Sequence, residues 1–83
     1  MTVINKLSSA DLWNLNYTQN QVKNLVKMKK YAEAVKESKV GLLMATRIGD
    51  INWVRKFDEI LAKTVRIYKK SEEKKEISID NFL

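Results

Sequence analysis

One segment, Tyr31 to Tyr68, constrains the fold of this chain more than any other. Its first half carries Ala34, Ser38, Gly41 and Ala45 at spacings of four, three and four, which is one face of an α-helix. A face of such small residues lets a neighbouring helix come close. Gly41 costs about 1 kcal/mol relative to Ala in a helix interior. That cost makes sense if a neighbouring backbone or a large ring needs the space. The one break in the segment is Gly49-Asp50. Gly49 suits the left-handed residue that closes a helix, and Arg47 complements the carbonyl end before it. Asp50 suits the N-cap of the next helix. A stop followed at once by a start predicts an antiparallel helical hairpin.

The remaining composition agrees with long helices. The chain has 83 residues, no Pro and only two Gly. Strand-rich folds need many turn residues, so few, long helices are expected. A chain of this length forms one domain with a limited core. Apolar residues make up 45%, enough for a packed interior. The longest apolar run, Val40 to Ala45, is far too short for a membrane span. Met1 to Leu7 contains one Lys and no long apolar stretch, so no secretory leader is expected. The expected location is cytoplasmic.

Capping signals place the other helices. Ser8 and Asp11 resemble a capping box, predicting a helical turn from about Ser9 that carries Leu12, Trp13 and Leu15. Asn14, Asn16 and Tyr17 weaken it. Thr18 and Gln21 form a second capping signal, and the expectation is a restart there. That helix has Val22, Leu25 and Val26 on one side, with Met28 beside them, and Lys23, Lys27 and Lys30 on the other. A turn near residues 29–31 then folds it against the next helix. The second half of the helix over 32–48 is apolar nearly all round, which predicts neighbours on more than one side. The last helix presents Trp53, Val54, Phe57, Ile60, Leu61, Thr64, Val65 and Tyr68 on a broad face. Lys56, Lys63, Arg66 and Lys70 lie opposite. The charge run Glu72 to Glu76 is expected to fray this helix. Ile77, Ile79, Phe82 and Leu83 then form an apolar tail that either docks on a helical surface or serves as a linear motif.

The fold class is therefore all-α: a small antiparallel bundle of three main helices, about 18–29, 32–48 and 51–73. A short N-terminal helical turn precedes them. Residues 1–76 are the bundle domain and 77–83 the tail, with Val3, Ile4 and Leu7 as a lead-in able to dock.

Catalysis is hard to build from these residues. The chain has no Cys and no His, so the common nucleophile, general base and metal ligand are missing. Its serines sit in no nucleophile-elbow context. Glu33 and Glu37 share a helix face without the Glu-x-x-His partners of a di-metal bundle. No glycine-rich phosphate loop is present. No enzyme, cofactor or metal is expected. Net charge is +6. Residues 18–48 sum to +5, 49–70 to +3 and 71–83 to −2, so the helical body is basic. Lys23, Lys27, Lys30, Lys56, Lys63, Arg66 and Lys70 are candidates for binding an anion or a nucleic acid. Against a DNA-reading helix stand Trp53, Phe57 and Leu61, which read as core, and the acidic Asp58 and Glu59.

Tyr31-Ala32-Glu33-Ala34, then Gly41-Leu42, Ala45 and Ile48-Gly49-Asp50, resemble the second helix of a tetratricopeptide-type repeat of the kind found in bacterial Rap-like regulators. The resemblance covers about 20 residues and implies a small interaction domain. The leading expectation is a non-catalytic protein-binding module, regulatory or viral, acting through a helix face or the tail residues Ile77, Ile79, Phe82 and Leu83. Self-association is expected, a dimer first, because a chain this small gains from burying its Trp residues and apolar ends against a copy. The alternative is a small basic nucleic-acid-binding protein.

Overall fold

The structure is a computed structural model. It describes the backbone of residues 7–82 and the side chains of residues 7–73. The fold is all-α, with α1 at Ser9–Lys27, α2 at Tyr31–Ile48 and α3 at Ile51–Phe82. α2 is the middle helix. It packs on α1 along one side and on α3 along the other, while α1 and α3 barely meet.

The small-residue face of α2 explains this arrangement. Ala34, Ser38, Gly41 and Ala45 are all buried. The Phe57 ring of α3 lies over Gly41, where an added Cβ would overlap Cδ1, Cε1 and Cζ of the ring. Phe57 is completely buried, and with Leu15 and Ala45 it joins all three helices in one core. Leu7, Leu42, Met44, Ile48, Trp53, Val54 and Ile60 pack around that centre. Trp53 stacks on Phe57 with ring centroids 5.8 Å apart. The whole face expected to be apolar on the last helix, Trp53 through Tyr68, is buried or half-buried.

Two buried hydroxyls lie where α2 meets α3. Ser38 Oγ donates to the Ala34 carbonyl at 2.8 Å, and Thr64 Oγ1 donates to the Leu61 carbonyl at 3.0 Å. Each hydroxyl is thus satisfied within its own helix. Their approach to one another is longer, 3.4 Å. It adds little beyond close packing.

The hairpin turns follow from local chemistry. Gly49 adopts φ 86°, ψ 19°, and its N–H and that of Asp50 donate to the Ala45 carbonyl. The Asp50 carboxylate accepts from the Trp53 N–H at 3.1 Å, so Asp50 caps α3 as expected. The turn between α1 and α2 is less obvious. Lys29 takes φ 62°. The Lys29 N–H donates to Val26 and the Lys30 N–H to Leu25, the paired bonds of a Schellman turn. A Lys occupies the position where Gly is usual.

Two boundaries differ from the sequence reading. The first helix does not restart at Thr18: α1 runs unbroken from Ser9, capped by the Ser8 hydroxyl, which accepts from the Asp11 N–H. No Gly or Pro interrupts residues 9–27. Leu15, Thr18 and Val22, at spacings of three and four, are all buried. Burial of that face outweighs the weak propensity of Asn14 and Asn16, and Thr18 serves as a packing residue, not a cap. At the other end, α3 does not stop near residue 73 but continues to Phe82. Glu and Lys are good helix formers and no breaker follows them. The backbone of residues 77–82 is therefore helical. The side chains of Ile77, Ile79 and Phe82, and all of Leu83, lie outside the described residues, as do Val3 and Ile4.

α2 has neighbours on more than one side, as expected. Two helices cover only part of its circumference. Val40 is 45% exposed and Leu43 64% exposed on the open side.

Candidate interaction surfaces

The residues that could support chemistry are dispersed. Among the described residues no group of three or more Asp, Glu, His or Cys is placed to hold a metal. Ser8 is occupied as a cap and Ser38 is buried against its own helix. Glu33 is exposed and Glu37 half-buried on the outer part of α2.

The cations sit where the helical spacing put them, on outer faces. Lys23, Lys27 and Lys30 are exposed at the C-terminal end of α1, and Lys56, Lys63, Arg66 and Lys70 are exposed along α3. The two sets stand on different helices, α1 and α3, which make few contacts with each other. Lys56 is already engaged: its Nζ lies 4.5 Å from the centroid of the Trp53 ring, a cation–π contact. The sequence reading missed Arg55, which is exposed. It lies eleven residues, three turns, before Arg66 and so shares its face. That spacing was the signal available. Glu59 is exposed within the same face and lowers its positive potential.

One open cleft forms at the end of the molecule where α1 turns into α2. It has a volume of about 320 Å³ and is lined by Lys29, Lys30, Tyr31, Glu33, Tyr68 and Glu72, among others. Two cations and two anions balance there, so the cleft has no preference for an anionic ligand.

The apolar surface is more distinctive. Trp13 is 64% exposed and Tyr17 50% exposed. They stack on each other one turn apart, with ring centroids 5.3 Å apart and planes 6° from parallel. They stand on the side of α1 opposite Leu15, Thr18 and Val22. The core is complete without them. Asn20 and Asn24 continue this face at helical spacing, and both are exposed. On α2 a second apolar patch, Val40 and Leu43, borders a groove shared with Asp11, Met44, Arg47 and Ile48. The sequence reading singled out neither patch. Leu43 was read as enclosed because apolar periodicity does not tell a buried face from an unpartnered one, whereas Trp13 was expected to be covered only by a second copy.

No helix among the described residues is long and apolar enough to cross a membrane. Compared with protein-family models, curated proteins and solved structures, the chain matches none of them.

Proposed function

We propose that this chain is a non-catalytic interaction module that binds protein through an outer helix face. The observation that carries the reading is the stacked Trp13–Tyr17 pair, held in solvent on a helix whose opposite face fills the core. Trp and Tyr dominate the energetics of protein interfaces, because each buries a large rigid surface at little entropic cost. The likeness of residues 31–50 to a tetratricopeptide-type helix supports the same reading, as does the absence of Cys and His from the sequence. The helix end that carries Ile77, Ile79, Phe82 and Leu83 is a further contact region under this reading. The proposed setting is cytoplasmic and regulatory, without a cofactor. The test is affinity capture with the intact chain, the Trp13→Ala/Tyr17→Ala variant and a chain lacking residues 77–83. Loss of a specific protein partner from either variant, with folding intact, supports the module. Capture of no partner beyond the chain itself, together with tight nucleic-acid binding, contradicts it.

A second reading rests on the exposed Arg55, Lys63, Arg66 and Lys70 of α3, with Lys23, Lys27 and Lys30 of α1. A stripe of this kind suits a phosphate backbone without base reading. Under it, affinity for any duplex falls steeply with salt, and Lys63→Glu with Arg66→Glu abolishes binding. No gel shift with DNA or RNA at low salt removes this reading.

A further inference from the structure

We infer that the outer face of α1 is a self-association surface, on which a second copy of this chain docks antiparallel, α1 against α1. The inference rests on the module reading above and names the partner. Three observations select a copy of the chain as the occupant.

The first is charge. The chain carries +6, so most ways of bringing two copies together set positive surface against positive surface. The exception is α1. Residues Leu12 to Val22 contain no charged side chain, the longest such run in a sequence in which 31% of residues are charged. An acidic partner would find nothing to pair with there. Another copy would find no repulsion.

The second is the chemistry of the face. Trp13, Tyr17, Asn20 and Asn24 follow one another at spacings of four, three and four, and all four are exposed. An isologous contact requires a surface that complements itself. Aromatic rings beside neutral amides, each amide both donor and acceptor, satisfy that requirement.

The third is polarity along the helix. Lys23 and Lys27 are exposed near the C-terminal end of α1. An antiparallel copy keeps the two basic ends apart and opposes the two helix dipoles favourably. A parallel copy brings the basic ends together. The two-fold axis then passes close to residues 18–19, the midpoint of the Trp13–Asn24 face.

The extent of the face sets the expected strength. α1 is about 28 Å long and roughly 10 Å wide, well short of the ~800 Å² per partner of a standard interface. The dimer is therefore weak and reversible, with dissociation at about 10 µM or above.

Sedimentation equilibrium of the full chain tests this, at low salt and again at high salt. The expected result is a concentration-dependent monomer–dimer equilibrium that tightens as salt screens the +6 charge. Trp13→Glu/Tyr17→Glu is expected to be monomeric at every concentration, with an unchanged helical circular dichroism spectrum, since both residues lie outside the core. Asn20→Lys leaves the aromatic pair in place and adds one cation to the neutral run. It is expected to weaken the dimer about tenfold or more at low salt, so the test survives a failure of the double variant to fold. Leu43→Glu, on the open face of α2, is expected to dimerise like the parent chain. A parent chain that stays monomeric throughout overturns the inference. A dimer that Leu43→Glu dissolves while the α1 variants retain it also overturns it. In both cases a captured heterologous protein would leave the module reading standing, so the two can fail separately.

Discussion

At the scale of single residues, two backbone positions show opposite solutions to the same problem. Gly49 and Lys29 both adopt positive φ at the end of a helix, 86° and 62° respectively. Glycine does so freely, whereas a side chain meets steric resistance in the left-handed region. Lys29→Gly is therefore expected to raise stability by about 1 kcal/mol, read as a higher urea midpoint at unchanged slope. A lower midpoint would mean that the Lys29 stem contributes more than its backbone costs. Phe57 is the other decisive residue. Among the described residues it is the largest fully buried side chain, and it closes the space that Gly41 leaves. Phe57→Ala removes the ring from a site with no exposed edge, and the expected loss is about 3–5 kcal/mol by chemical denaturation.

At the scale of helices, the capping interactions separate signals that were used from signals that were not. Ser8→Ala and Asp50→Ala each remove an oxygen that accepts from a first-turn N–H, and each is expected to cost about 1 kcal/mol. Thr18→Val is expected to show no such loss, because Thr18 sits mid-helix and buried. A penalty equal to that of Ser8→Ala would favour a helix start at Thr18 after all. These three positions show what was legible beforehand. The Gly49-Asp50 hairpin and the small-residue face of α2 were readable, because both depend on what nearby side chains are able to do alone. The Thr18 restart was a false signal. A Thr-x-x-Gln pattern is only a cap if the preceding chain leaves the helix, and the burial of Leu15 and Val22 keeps it helical. The extension of α3 past residue 73 was missed for a related reason: a run of charge was read as fraying, although Glu and Lys favour helix. The exposed Leu43 was not legible as surface, since periodicity gives a face but not what covers it.

At the scale of the whole molecule, the division of labour is between the buried small-residue face of the middle helix and two flanking helices with free outer sides. The small side chains of α2 are scaffold. The outer side of α1 bears a neutral aromatic face, and that of α3 bears Arg55, Lys63, Arg66 and Lys70. Stability and recognition should therefore respond to different residues. Thermal denaturation followed by circular dichroism tests that separation directly, with Gly41→Leu and Trp13→Ala/Tyr17→Ala compared at a concentration where the chain is monomeric. Gly41→Leu drives a side chain into the Phe57 ring. Overpacking there costs about 1–3 kcal/mol or more, and each kcal/mol lowers the melting temperature by roughly 4–8 °C in a domain of this size. The expected fall is about 10 °C or more for Gly41→Leu and under about 4 °C for the aromatic variant. An unchanged melting temperature for Gly41→Leu, or a larger fall for the aromatic variant than for Gly41→Leu, would contradict the assignment of scaffold and surface.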